Sequence, residues 1–479
     1  MWRLAVLVTF AAAVAWADGE APKRKAPSGG TAEGASGTGE AGKKAALERL
    51  RKRLQLDDYL VRMATLNGLF ERASAELLEP VRRVFESTDD TDCKFWCACI
   101  MLKLGDKKAY KFLLKAFLSE SERERYHAAA AFGRARVADA EVKRRIEELW
   151  RNDVEQVRTV AAYALASVGD ERGYAFLMEK VRDSKWPARD MAAVLLGWLG
   201  REQSKPILRK GFAAAKDASD KNLPICFAWA LSHYGDADAQ KYLLEAGYGN
   251  LYAQMGVCEV GRPMVPHLVK ALKHQKPSVR RNAAMLLGLI GDAEAVAPLT
   301  KALSDGTYSV ACAAAVALGY TMHPAAVAPL AALVADKKSN STVKRRAMQA
   351  LAVLKDDRGV PAIRSVLFGK AVRDKGAASR RLRENAAAAL AEIGSSSAVA
   401  ALLAFIGDAA QTERLRTAAV DYIRRASLKS AAPALVEIMD GAPRKLKAKI
   451  VQALRKLTGK DCGDDPAKWR KALKSSSGE

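Results

Sequence analysis

The sequence predicts an all-α fold: an α-solenoid, a superhelix of about 12 stacked antiparallel helix pairs. Three observations predict it. Apolar residues fall at helical spacing on one face through most of the 479 residues, one pattern returns every 31 to 35 residues, and runs that read as strands are nearly missing. The composition, 49% hydrophobic and 28% charged with only 16 prolines, is that of a folded protein.

The clearest copy of the pattern spans Gly261 to Leu303. Val279, Ala283, Ala284, Leu286, Leu287 and Ile290 share one helical face. Gly291 suits the left-handed angles of a helix stop, Asp292 suits the N-cap of the next helix, and Pro298 sits near that helix's start, where a missing N–H costs little. With Val279 as position zero and core positions at plus 4, 5, 7, 8 and 11, the register recurs at Cys93, Glu124, Val157, Ala188, Leu223, Val310, Val343, Leu382, Leu415 and Leu446. The long step from Leu223 to Val279 hides a degenerate unit around Tyr242–Ala246 and Leu251–Val260, and a loop insertion stretches the step from Val343 to Leu382. A second register agrees: Pro206, Pro266, Pro298, Pro329, Pro361 and Pro433 hold one place early in the preceding helix. A single pair cannot bury its apolar face, so the pairs stack into one ribbon that does not close on itself.

In chain order, residues 1–17 read as an export signal: Arg3 is the positive flank, Leu4–Ala15 an apolar stretch too short to span a bilayer, and Ala15-Trp16-Ala17 the cleavage pattern. No later stretch is long and apolar enough for a transmembrane span. Residues 18–42 form a Gly/Ala/Ser/Pro-rich linker with no periodicity, and the GxGxxG match at Gly37–Gly42 within it lacks the preceding strand a nucleotide loop needs. Residues 43–90 read as N-terminal capping helices, 91–460 as the solenoid, and 461–479 as a C-terminal cap helix and tail. There Asp465 caps the helix, Pro466 opens it, and Trp469 folds back over the core.

The segments VRRNAAMLLGLIGD, VRTVAAYALASVGD and LRENAAAALAEIG resemble the second helix of short HEAT repeats, similar to the HEAT-like repeats of bacterial solenoid proteins and of phycobilisome bilin lyases. The resemblance covers roughly residues 90–460. It implies a curved α-solenoid that binds macromolecules, and it implies little about reaction or partner.

Catalytic and metal chemistry find no motif. Cys93, Cys97, Cys99, Cys226, Cys258, Cys312 and Cys462 include no CxxC, and Cys93 and Cys97 take core positions as small fillers. The five histidines show no metal spacing and are expected at the surface or at helix ends. Asp461, Asp464 and Asp465 lack the ligand alternation of a calcium loop. Phe132, Trp198, Phe227, Trp229 and Tyr422 are expected in the core. The expectation is therefore no catalytic residue, no metal and no cofactor.

Charge exceeds what the fold needs. Residues 1–260 hold 41 Lys and Arg against 36 Asp and Glu, whereas residues 261–479 hold 37 against 18. Part of this is expected to be structural. The residue after position zero (Arg158, Arg189, Arg280, Lys344, Arg383, Arg416, Lys447) is expected to pair with an acidic residue of the preceding turn, with Asp153, Asp183, Asp408 and Asp440 placed for it. The remainder forms a candidate binding edge: Lys273, Lys276, Lys337, Lys338, Lys370, Arg373, Lys375, Arg444 and Lys445 in the turns between paired helices, with Arg281, Arg345 and Arg346 in the first helical turns that follow. Helix N-termini add partial positive charge along that edge.

These features together predict an exported, periplasmic or secreted, non-catalytic scaffold. Its partner is expected to be an acidic protein or an anionic envelope polymer. Nucleic-acid binding is the alternative that a pI near 9.7 fits and an export signal opposes. A bilin-lyase-like enzyme is a third reading, resting on the resemblance alone.

Overall fold

The computed structural model describes residues 40–56, 58–71, 74–137, 139–247, 250–369 and 377–474. The predicted signal segment and residues 18–39 of the linker lie outside these. Among the described residues there are 27 α-helices and no strand. The chain forms two compact units, Met1–Asp292 and Ala293–Glu479.

In the first unit α1 (Glu40–Leu54) and α2 (Tyr59–Glu71) precede seven helix pairs. These are α3 (Leu78–Ser87) with α4 (Thr91–Lys103), α5 (Lys107–Ala116) with α6 (Glu122–Ala135), α7 (Ala140–Asn152) with α8 (Glu155–Ser167), and α9 (Glu171–Lys180) with α10 (Arg189–Leu199). There follow α11 (Lys205–Ala215) with α12 (Leu223–His233), α13 (Ala237–Gly247) with α14 (Leu251–Val260), and α15 (Val265–Ala271) with α16 (Pro277–Ile290). The degenerate stretch after Leu223 thus holds a full pair, α13 and α14. The second unit has five pairs: α17 (Val296–Ala302) with α18 (Tyr308–Thr321), α19 (Val327–Ala335) with α20 (Ser341–Leu354), α21 (Val360–Phe368) with α22 (Ala377–Ile393), α23 (Ser396–Gly407) with α24 (Glu413–Arg425), and α25 (Ala432–Met439) with α26 (Arg444–Thr458). A final helix, α27 (Pro466–Lys474), follows them.

Short side chains set the element ends. Asp106 Oδ1 accepts from the amides of Lys108 (2.8 Å) and Ala109 (2.9 Å), and Asp90, Ser121, Asp139 and Asn340 cap their helices in the same way. Gly291 closes α16 at φ 70°, as its spacing predicts. The next helix does not start at once from Asp292: a 3-10 turn, Ala293–Ala295, comes first, and similar turns precede α11, α15, α19, α21 and α25. Proline lies in the second or third residue of the α-helix that follows.

Within each unit, second helices of successive pairs pack directly on one another. Position plus 9 must be small for this: a Cβ on Gly197 would stand 2.6 Å from Ala230 Cα, and one on Gly133 2.8 Å from Ala164 Cα. The Ala-rich composition of these helices follows from the same approach.

Two expectations are corrected here. The first concerns closure. In the first unit α2 packs on α4, on α14 and on α16, so the chain start touches both the first and the last pair. Arg53 of α1 fastens it, donating from Nη1 to Gly288 O (3.1 Å), from Nη2 to Leu289 O, and from Nε to Thr65 Oγ1 (3.0 Å). Those carbonyls belong to the last turn of α16, which has no intrahelical donors left to satisfy it. The second concerns the arginine after position zero, which mostly seeks backbone carbonyls rather than carboxylates. Arg189 donates to Val181 O (2.9 Å), Arg280 to His274 O (2.8 Å) and Gln275 O (2.9 Å), and Arg416 to Ile406 O. The partial negative charge of a helix C-terminus accepts a guanidinium as a carboxylate does. Asp153 instead binds Arg125 (2.6 and 2.8 Å), Asp440 lies 3.3 Å from Arg470, and Asp408 accepts from Gln411, which itself accepts from Arg383, while Arg416 and Arg383 attract it electrostatically.

The second unit ends as its sequence implies. Asp465 Oδ1 accepts from Ala467 N (2.9 Å), and Trp469 is fully buried with its indole N–H on Gly463 O (2.8 Å).

Candidate binding surface

On a second helix, core positions 0, 4, 7, 8 and 11 point toward the paired first helix, so positions 3, 6 and 10 face the opposite way. In an open stack that opposite face meets solvent. The two units use it differently.

In the first unit it is filled. Trp96, Arg134, Trp198 and Trp229 occupy such positions, and all are buried. The Arg134 guanidinium stands 4.5 Å from the Trp96 ring centre, 4.8 Å from Phe70 of α2 and 5.1 Å from Trp198. Trp198 meets Tyr163 edge-on at 5.7 Å. Glu259 of α14 accepts from the Trp229 indole N–H and lies 2.9 Å from His233 Nε2. Burial alone would raise that carboxyl, yet His233 and Trp229 hold it below the usual carboxylate range. One histidine departs from the expected placement at the surface or at helix ends. His127 is fully buried, stacked on Phe95 at 4.8 Å with Asp92 3.4 Å away, and burial lowers its pKa against the pull of Asp92. His233 keeps the expected helix-end place as the last residue of α12, with its side chain largely buried against Glu259. His274 and His323 do serve turns and helix starts, accepting from Lys276 N and Ala325 N, and His267 is exposed.

In the second unit the same positions hold Arg346, Gln349, Asn385, Asp421, Arg425, Lys449, Gln452 and Lys456, every one at least partly exposed. Lys337 and Lys338 are exposed in the turn before α20, and Arg345 and Arg346 are half-exposed in its first turns. Arg444 and Lys445 are exposed as the first two residues of α26, rather than in the turn that precedes it. Of the other predicted cations, Lys273, Lys276 and Arg281 are exposed around the start of α16 and belong to the first unit. Lys370, Arg373 and Lys375 lie outside the described residues. Sequence reasoning missed Arg381 and Arg414, both exposed and both one residue before position zero of α22 and α24, the place Lys445 takes in α26. That shared register was the available signal.

Among the described residues no carboxylate forms an ion pair with Lys337, Lys338, Arg345, Arg346, Arg381, Arg414, Arg444 or Lys445. Ion pairs occur in both units: Arg82 bonds Asp106, Arg172 lies 2.9 Å from Glu147, Arg201 2.8 Å from Glu171 and Arg209 2.8 Å from Asp236 in the first, and Arg358 lies 2.6 Å from Asp356 and Arg470 2.8 Å from Glu437 in the second. All seven cysteines are free thiols, with Cys93, Cys97, Cys99, Cys226 and Cys258 buried. Among the described residues no group of three or more His, Cys, Asp or Glu is placed to hold a metal ion, and no helix is long and apolar enough to cross a membrane.

Models of known families match this chain as HEAT repeats over residues 110–194, 142–223 and 265–352, and as a PBS lyase HEAT-like repeat over 382–408. No curated protein matches it. Similar solved structures include human deoxyhypusine hydroxylase in complex with glycerol, at 19% identity over 60% of this chain and 96% of that one, with a TM-score of 0.24. Kap121p bound to Ste12p aligns at 14% identity over 87% and 52%, with a TM-score of 0.42, and importin beta at 13% over 90% and 70%, with a TM-score of 0.37. The chain spans about half the length of the Kap121p structures it matches. At such identities and TM-scores none of these carries an inference about activity or partner. The matched repeats and the stacked helix pairs make this chain a HEAT-repeat protein.

Proposed function

We propose that the protein is an exported, non-catalytic HEAT scaffold whose second unit binds an acidic protein. One observation carries the reading: a set of exposed and half-exposed cations that form no carboxylate ion pair lies on and beside a helix face that the first unit fills with its own side chains. Residues 293–479 hold 31 Lys and Arg against 17 Asp and Glu, so the unit also attracts anions at longer range. Export rests on the signal pattern of residues 1–17, which removes the protein from the genome and so disfavours the nucleic-acid alternative.

The test is cell fractionation followed by titration. N-terminal sequencing of the exported fraction should begin at or near Asp18, and retention of Met1 in the cytosol would restore the nucleic-acid reading. The full chain should bind an acidic protein taken from that fraction, binding should weaken steeply with salt, and K337E/K338E/R345E/R346E should lower affinity at least tenfold. Unchanged affinity would refute the surface. Binding of anionic envelope polymer alone would transfer the site to that ligand, and pigment attached on coexpression with a bilin-accepting protein would favour the lyase reading.

A further inference from the structure

We infer that the acidic partner is held as an extended segment laid across α20, α22, α24 and α26, with about one carboxylate for each repeat. This rests on the proposed binding role of the second unit and adds the form of the ligand. Three of the helices bring a cation to one level near their starts, Arg381, Arg414 and Lys445, and α20 brings Arg345 and Arg346 three and four register positions further along. Arg381, Arg414 and Lys445 share one register position, one residue before the first core residue, and are exposed. Successive second helices pack directly on each other, so the cations recur at one interhelical spacing, about 10 Å. A polyproline II segment rises about 3.1 Å per residue with three residues per turn, so every third residue faces the same way and meets the next cation.

Two other ligand forms fit less well. A continuous polyanion presents a charge every 3.4 Å or so along a strand, far denser than the row. It would also pass beside Glu384, three residues from Arg381 on α22. Asp421 already engages Arg424 (3.2 Å) and Lys449 (3.3 Å), so the face carries charges of both signs and favours a ligand whose own charges are spaced. A docked amphipathic helix needs an apolar stripe to cover. The row is flanked instead by Gln349, Asn385, Thr417 and Gln452, which offer hydrogen bonds to an extended backbone and little apolar area.

The experiment uses the full chain and two labelled peptides of identical Gly/Ser/Glu composition, read by fluorescence anisotropy. One carries four Glu at every third position, the other four Glu in a row. The spaced peptide should bind about tenfold tighter, since three further exposed ion pairs at roughly 0.5 kcal/mol each amount to that factor. R381E and R414E should each weaken the spaced peptide about fivefold and leave the clustered one nearly unchanged, with R381K retaining binding. Equal affinity for the two peptides would overturn the extended arrangement while leaving an acidic partner in place. Binding of neither peptide would overturn both readings. Tighter binding of inorganic polyphosphate than of the spaced peptide, unaffected by R381E, would replace spaced recognition with bulk charge attraction.

Discussion

The two units are built from one repeat, and they differ in what stands at positions 3, 6 and 10 of the second helix. In the first unit three tryptophans and Arg134 fill that face, α2 packs beside them, and Arg53 secures the closure. In the second the same positions carry mostly amides, alanines and charges, with Val316, Tyr320 and Val353 among them, and all but Ala313 keep contact with water. Core positions decide that a repeat folds; the opposite face decides whether the stack consumes its own surface or offers it. In the first unit the aromatic residues supply stability, and in the second the polar ones keep a surface available at little cost to folding.

The comparison can be broken at several points. The largest effect is expected from W198A, which empties the centre of the first unit and should cost about 3–5 kcal/mol in its unfolding transition. V316A, at position 6 of the second unit, should cost under about 1 kcal/mol in denaturant titration; equal losses would erase the distinction. Next comes R53A, which frees the carbonyls of α16 and should destabilise the docked α1–α2 segment by about 1.5–3 kcal/mol. Hydrogen exchange should then quicken in α2 while α22 and α24 stay unchanged.

Acid should weaken the first unit through its buried carboxylates. Buried Asp106 would have its pKa raised by desolvation, but the Arg82 side chain and two backbone amides hold it below the usual carboxylate range, as His233 and Trp229 do for Glu259. A carboxylate depressed in the folded state adds stability above its unfolded pKa of about 4, and that stability is lost as pH falls through the folded value. The first unit should therefore weaken progressively below about pH 4, and E259Q should flatten that dependence. The smallest effect on folding belongs to K337E/K338E, within about 0.5 kcal/mol of the parent, with its consequence confined to binding.

The solenoid was legible because its signals are local. Core spacing, helix stops such as Gly291 and the Asp465–Pro466 start each lie within one helix or turn. The closure of the first unit was not legible: Arg53 and Gly288 are 235 residues apart and share no motif. Trp198 and Trp229 are buried as expected, whereas His127 and Trp96 were hard to place, because positions 3, 6 and 10 meet solvent or protein depending on how closely successive second helices curl, which no single repeat encodes. Of the basic surface, Lys337, Lys338, Arg345, Arg346, Arg444 and Lys445 stand exposed in one unit. Arg381 and Arg414 were not legible as part of it because they lie inside their helices, outside the cation-rich turns.

Hydroxyl-radical footprinting of the full chain, read residue by residue by mass spectrometry, tests most directly whether one unit closes this face and the other presents it. Trp96, Trp198 and Trp229 should remain at least about tenfold protected relative to free tryptophan, while Tyr308 and Tyr422 of the second unit, 62% exposed and half-buried respectively, are modified. Ready oxidation of the three tryptophans in the folded chain, or protection of both tyrosines without any partner present, would contradict the account.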